Sequence, residues 1–384
     1  MKNKVSVIIP VYNHGGYIAK AIDSVLKQSF QDFEILVVND GSTDNTAKEL
    51  KRISDKRLRV ISLKKNSGMS NAMNKCIENA TGEYIAHLNA DDLFSVDKLE
   101  KQVAFLDKNA NFGAVFTKVS IIDENSENFS NEDHFYYSAF DKENRCRFEW
   151  LNHFFYKGNC LCHPSVMIRK KCFDEVGFYD PRFQQVQDLE FWTRFFQKYD
   201  AHIMEEKLTF FRIFSDESNS SGNTPAKRIR YAWEATKLLE NYLKLSVVDF
   251  EKVFPNMEFR NPLEEDLLPY YIARAALDLK NHIYDHFAIE TIFNFFKNSE
   301  SARKLEKLEG FSSQDYIKLT TILDVFGIKE REEAQQESPD SFRKKIHLKN
   351  IEIEKKDKYI QLIETSKFWK LREKYLKFKE LLRK

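Results

Sequence analysis

The residues best placed to do chemistry in this chain are aspartates in two turns that follow apolar strands. The run at 34–38 passes into Asn39-Asp40-Gly41-Ser42-Thr43-Asp44, and the run at 84–88 passes into Asn89-Ala90-Asp91-Asp92. Two adjacent carboxylates just past an apolar strand are costly unless a cation or many hydrogen bonds compensate them, so the second turn predicts a divalent-metal site at Asp91 and Asp92. Hard oxygen ligands favour Mg²⁺ or Mn²⁺ over zinc. Two carboxylates hold such an ion loosely and leave positions for water and a substrate diphosphate. Asp40, at a strand end and before a turn glycine, is predicted to meet ligand, whereas Asp44 reads as a helix N-cap. A lone Asp-Asp pair is weak evidence, because acidic turns are common; two acidic strand ends are more specific.

Those turns need a sheet to hold them. Apolar runs at 5–11, 34–38, 58–63 and 84–88 read as buried strands, and 18–28, 44–52 and 70–80 between them read as helices. The alternation predicts a mostly parallel central sheet flanked by helices, an α/β sandwich. A helix at 96–108 leads to a strand at 114–122, then an irregular polar and aromatic stretch to about Cys162. Segments 165–168, a helix at 188–198 and a strand at 208–213 continue the sheet. The linker composition of 215–225 (SDESNSSGNTP) predicts a domain boundary. Beyond it, helical spacing such as Leu267, Tyr271, Ala275 and Leu279 predicts an all-α accessory region. Ile353, Ile360 and Ile363 form a short heptad seam, continued by Phe368, Leu371, Tyr375, Phe378 and Leu382. Residues 366–384 carry eight basic and two acidic side chains beside Trp369. That pattern suits a helix that forms a homo-oligomer or lies on an anionic membrane surface.

Composition narrows the function. Sixty Lys plus Arg against fifty-nine Asp plus Glu give a net charge of +1, so the whole-surface positive field of a dedicated nucleic-acid binder is absent. With 42% hydrophobic residues and 33 Phe among 384 residues, the chain can order a core. The odd count of five cysteines predicts a reducing, cytoplasmic setting, and no run of 18 apolar residues predicts a membrane span. Cys160-Leu161-Cys162-His163 with Cys172 invites a zinc reading, but the spacing is wrong for a zinc knuckle and small buried thiols are the expectation.

Five segments in order, VSVIIPVYN (5–13), ILVVNDGSTD (35–44), NSGMSNAMN (66–74), GEYIAHLNADD (82–92) and QDLEFWTR (187–194), resemble the pattern of the family 2 glycosyltransferases over roughly residues 4 to 215. The resemblance implies a GT-A-like fold with a nucleotide-sugar-binding half at 1–103 and an acceptor-binding half at 104–224. The helical accessory domain at 225–335 and the basic amphipathic helix at 336–384 lie outside it. It implies nucleotide contacts from Pro10, Tyr12, Asp40, Asn66 and Asn89, with Tyr12 against the base and Asp40 accepting from a uracil or thymine imide. It also implies a metal at Asp91 with Asp92 beside it, Asp188 as catalytic base, and acceptor-side roles for His163, Gln187 and Arg212.

The implied activity is metal-dependent, inverting transfer of a sugar from a nucleoside diphosphate, most simply UDP, to a hydroxyl of a glycan or lipid-linked acceptor, at the inner face of the cell membrane. Two departures stand out. The family often carries Arg-x-His after its last sheet strand, where this chain has Arg212-Ile213-Phe214, and Gln187 replaces the usual Glu before the base. Rival readings are a nucleotidyltransferase, which would need a basic phosphate loop that Val11 to Gly16 does not supply, and a silent sugar-nucleotide-binding scaffold.

Overall fold

The structure, a computed structural model, describes residues 3–129, 134–214, 224–259, 262–329, 331–332, 347–349, 351, 353 and 355–356. The strands are β1 (Val5–Val11), β2 (Phe33–Asn39), β3 (Leu58–Ser62), β4 (Tyr84–His87), β5 (Leu93–Phe94), β6 (Phe112–Ile122), β7 (Met167–Arg169) and β8 (Asp200–Arg212). Helices α1 (Ile18–Leu26), α2 (Thr46–Arg52), α3 (Met69–Asn79) and α4 (Lys98–Lys108) alternate with the first strands. Then come α5 (Phe135–Ala139), α6 (Arg147–Lys157), α7 (Cys172–Val176) and α8 (Gln187–Phe195). The chain continues through α9 (Pro225–Leu238), α10 (Val247–Val253), α11 (Leu268–Leu277), α12 (His282–Phe295), α13 (Ser299–Glu309) and α14 (Ser313–Ile322).

All eight strands join one sheet in the order β3-β2-β1-β4-β7-β6-β8-β5. β1 is buried at every position because both its faces are covered. Val5, Val7, Ile9 and Val11 pack with Ala21, Ile22 and Val25 of α1, while Ile8 packs with Ala72, Met73 and Cys76 of α3. This is why a parallel strand reads as a continuous apolar run. Pro10 lies opposite Val38 and past the last residue of β1 that β4 pairs, so its missing N–H breaks no ladder on that side. β1 has β2 and then β3 on one flank and β4 on the other, all parallel. The order therefore reverses between β1 and β4, and the turns leaving their C-terminal ends diverge around a crevice, the usual place for a ligand in an open α/β sheet.

The other half of the sheet departs from the parallel plan. β7 runs antiparallel between β4 and β6, and β8 runs parallel to β6 over a longer span than the predicted 208–213. The two residues of β5 pair antiparallel with Thr209 and Phe210 of β8, which fastens the Asp91-Asp92 turn beside the end of β8. The stretch read as irregular contains α6, which buries Trp150, Leu151, Phe154 and Phe155.

The change of composition near residue 225 is not a change of packing. Residues 1–320 form one compact unit. Leu238, Leu239, Tyr242, Phe250 and Tyr271 share a core with α6, α8 and the face of the sheet carrying Ile8, Leu36 and Val38. The Tyr242 hydroxyl donates to the Leu151 carbonyl at 2.8 Å, and Asn152 donates to the Val253 carbonyl at 2.7 Å. α6 and α8 are aromatic on more than one side, and the helical region covers what the sheet leaves exposed.

Residues 321–384 form a second unit, in which Asp324 accepts from the N–H groups of Ile328 and Lys329 at 2.8 and 2.7 Å. The basic amphipathic segment at 366–384 lies outside the described residues. Among the described residues no helix is long and apolar enough to cross a membrane.

Candidate active site

The turn after β1 and the turn after β2 are laced together. Asn13, at φ 55°, accepts from the Thr43 N–H at 2.8 Å, and the His14 N–H donates to Thr46 Oγ1 at 3.1 Å. Asp44 accepts from the N–H groups of Gly15 and Thr46, both at 2.9 Å, and these donors with the Thr46 hydroxyl outweigh desolvation and hold its carboxyl below the usual range. The N-cap of α2 is Asn45 and not Asp44 as expected; Asp44, one residue earlier, instead joins two loops. Only glycine fits at 15, where a Cβ would lie 2.0 Å from Asn45 Oδ1. This lacing leaves Tyr12 41% exposed at the crevice and fixes His14.

The imidazole of His14 faces an oxygen at each end. Its Nδ1 lies 2.7 Å from the Tyr12 carbonyl and its Nε2 lies 3.7 Å from Asp91 Oδ2. Desolvation disfavours the imidazolium, but Asp91 and the Tyr12 carbonyl prevail and raise the His14 pKa above its ordinary value. Asp91 and His14 come from the two strand ends that flank the crevice, so the half-buried Asp91 carboxylate faces a nitrogen donor across it.

The two adjacent aspartates have different surroundings. Asp92 is 1% exposed and points into the protein, where it accepts from Asn89 Nδ2 at 2.8 Å and the Arg212 N–H at 2.7 Å. Burial first, and the Asp91 charge second, push its carboxyl well up. The expectation of Asp92 as a metal ligand does not fit this placement; Asp92 braces the turn from inside. Asn89, expected at the nucleotide, is spent on the same brace: its Oδ1 meets His87 Nε2 at 2.9 Å. Arg212, expected on the acceptor side, is buried and donates to the carbonyls of Asp91 and Asp123 and to Ser126 Oγ. It clamps the Asp91-Asp92 turn to the end of β8. Phe214 packs edge-on against Tyr17, with ring centroids 5.3 Å apart.

Asp40 is buried and holds the loop of the third motif. It accepts from Ser67 N at 2.8 Å, Ser67 Oγ at 2.6 Å and Gly68 N at 2.9 Å. Gly41, at φ 68°, lets the Lys65 backbone approach to where a Cβ would sit 2.5 Å away. Asn66 is exposed and its Oδ1 accepts from the Gly68 N–H at 3.1 Å. Next to this loop lies Gln184, whose Oε1 is 3.0 Å from the position of a Cβ on Gly68. The buried carboxylate of Glu234, on α9, accepts from the N–H groups of Gln184, Gln185 and Val186 at 2.9, 2.6 and 3.0 Å. No local motif announces Glu234, which lies 46 residues from Asp188 in sequence.

Those three N–H groups lead directly into Asp188 in the first turn of α8. Asp188 Oδ2 accepts from Asn159 at 2.7 Å and Oδ1 from the Leu189 N–H at 2.8 Å. Burial nevertheless pushes its carboxyl up to about 6. Gln187 Oε1 is buried with no hydrogen-bond partner among the described residues. His163 stacks on His87 at 4.2 Å and meets the Tyr179 hydroxyl at 2.8 Å; burial, then His87, depresses its basicity. Burial first, and the Asp92 charge second, push the thiol of neighbouring Cys162 well up. All three cysteines of the zinc alternative are buried, with burial pushing Cys160 up to about 11 and Cys172 to about 12, as for small apolar side chains. Among the described residues no group of three His, Cys, Asp or Glu is gathered closely enough to hold an ion by itself.

Residues 6–177 match the family model described as glycosyl transferase family 2. The inferred glycosyltransferase EpsE of Bacillus subtilis (strain 168) is 31% identical over 219 residues, covering 56% of this chain and 74% of that protein. The inferred teichuronic acid biosynthesis glycosyltransferase TuaG of the same strain is 31% identical over 242 residues, covering 62% of this chain and 90% of that protein. Among solved structures, that of S. aureus TarS 1–349 in complex with UDP-GlcNAc has a TM-score of 0.52 at 19% identity, covering 80% of this chain and 92% of that one. At that identity the likeness is one of fold.

Proposed function

This chain belongs to glycosyl transferase family 2 and is a glycosyltransferase, and from that premise we propose that it is a metal-dependent, inverting enzyme that moves a sugar from a UDP-sugar to a hydroxyl of a cell-surface glycan or lipid-linked acceptor. The observation that carries the reading is the contrast between two acidic centres. Asp91 lies half-buried at the crevice mouth, whereas Asp188 has its carboxyl raised to about 6 at the head of α8. A carboxyl tuned toward neutral pH suits proton transfer, and a carboxylate at the crevice mouth suits holding a cation. TarS is a structural neighbour in complex with UDP-GlcNAc and TuaG is named for teichuronic acid biosynthesis, which supports a UDP-sugar donor and a surface-polymer acceptor.

In the proposed reaction the acceptor hydroxyl attacks the anomeric carbon and passes its proton to Asp188 Oδ. The bond from that carbon to the diphosphate oxygen breaks, and the nucleoside diphosphate leaves with the electron pair. One displacement inverts the anomeric centre. Asp91 fits Mn²⁺ or Mg²⁺: among the described residues no Lys or Arg pairs with its carboxylate, which stands at the strand end facing the His14 ring. When bound, such an ion neutralises charge on the departing diphosphate. Tyr12 supplies an exposed ring for the base, and Asp40 keeps the Asn66 to Gly68 loop beside it. The basic segment at 366–384 would keep the enzyme on an anionic membrane, which flotation with and without it tests.

The deciding experiment is UDP release from a panel of UDP-sugars with Mn²⁺, Mg²⁺ or EDTA. Release from one donor that stops in EDTA is expected; equal release in EDTA would remove the metal from the proposal.

A further inference from the structure

We infer that His14 is a metal ligand, its Nε2 sharing the divalent cation with Asp91 in place of the histidine that family members often carry after the last strand. The inference rests on the metal dependence proposed above and adds a residue that no motif of the sequence marks.

Three observations on different elements converge. First, the ring faces the right partner: Nε2 is 3.7 Å from Asp91 Oδ2. Ligand bonds of ~2.1 Å from each atom span separations up to ~4.2 Å, so both atoms lie within reach of one ion. Second, the tautomer is set. Nδ1 lies 2.7 Å from the Tyr12 carbonyl, an acceptor only, so Nδ1 carries a hydrogen and the neutral ring offers its Nε2 lone pair toward Asp91. A backbone carbonyl on the far nitrogen is the usual support of a ligating histidine. Third, the loop is built to stay. The His14 N–H is held by Thr46 Oγ1, the next N–H by Asp44, and Gly15 admits no side chain.

The alternative position is closed. Phe214 occupies the place of the expected histidine, carries no donor atom and packs on Tyr17. A nitrogen ligand is thereby moved from the end of β8 to the end of β1, the other side of the same crevice. An imidazole also favours Mn²⁺ over Mg²⁺.

The test uses the full chain with UDP and Mn²⁺. Free Mn²⁺ is followed by EPR, and pulsed EPR reads nitrogen coupling in protein labelled with ¹⁵N-histidine. Expected are a histidine-derived coupling in wild type, its loss in His14→Ala, and Mn²⁺ affinity falling by ~10-fold or more, with an unchanged thermal midpoint. His14→Gln, which keeps side-chain volume, should lose the coupling as well. Mn²⁺ bound by wild type without histidine coupling, or coupling retained in His14→Ala, overturns the assignment while leaving Asp91 and the metal reading in place. Wild type that binds UDP but no Mn²⁺ overturns both.

Discussion

Asn159, one residue beyond the glycine that ends α6, donates its side-chain amide to Oδ2 of Asp188 at 2.7 Å. The amide favours the charged carboxylate and so opposes the burial that pushes Asp188 up to about 6. A base works deprotonated, so kcat/KM is expected to rise with pH through about 6 and level off above. Asn159→Ala removes a donor to the charged form and moves that limb to higher pH. A pH profile of both proteins checks this; an unmoved limb would separate Asp188 from proton transfer.

Asp188→Asn should cost ~10²- to 10⁴-fold in transfer, the usual share of a general base, while UDP binding by calorimetry stays as in wild type. The same change should raise the urea midpoint at pH 8. A carboxyl whose folded pKa exceeds its unfolded one stabilises below the unfolded value and loses that contribution as pH rises through about 6. Replacing it removes ~1 kcal/mol of cost at pH 8, and little at pH 4.

Glu234→Ala would remove the carboxylate acceptor of three backbone N–H groups in the loop before Asp188, of which two are part-buried and that of Val186 is buried. An unsatisfied buried donor costs ~1–3 kcal/mol, so with partial relaxation the expected loss is ~2–4 kcal/mol by urea denaturation. A loss below 0.5 kcal/mol, roughly the level of a neutral surface change, would show that the loop is held by other contacts.

Arg212→Lys keeps the charge but cannot reproduce a fork that reaches Asp91, Asp123 and Ser126 together. We expect ~2 kcal/mol of destabilisation and weaker Mn²⁺ binding with UDP present, through displacement of the Asp91 turn. Calorimetric titration with Mn²⁺ reads the second effect directly.

Tyr12→Ala should weaken UDP binding roughly 10-fold, since stacking a base on an aromatic ring is worth ~1–3 kcal/mol. Tyr12→Phe should bind almost as wild type, because the proposed stacking uses the ring and not the hydroxyl. Fluorescence titration with UDP compares the three.

Local geometry follows from the order of residue types along the chain. Runs such as residues 5–11 and 84–88 are apolar on both faces because the strands are covered on both, so strands and the helices between them are legible wherever burial is continuous. Asp40 and Asp91 are legible as strand-end residues for the same reason, and Asp188 through its motif. Tertiary structure alone decided which side chains face one another across the crevice. Neighbours in sequence diverge there: Asp91 opens to the crevice while Asp92 turns inward to Asn89 and Arg212. Residues remote in sequence meet, as His14 does Asp91 and Glu234 the loop at 184–186. The helices after residue 225 likewise share the catalytic core, although the composition there suggests a separate domain. Periodicity encodes which face of an element is buried, but the partner across a gap depends on strand order, loop length and rotamer together, and none of these is carried by a local pattern.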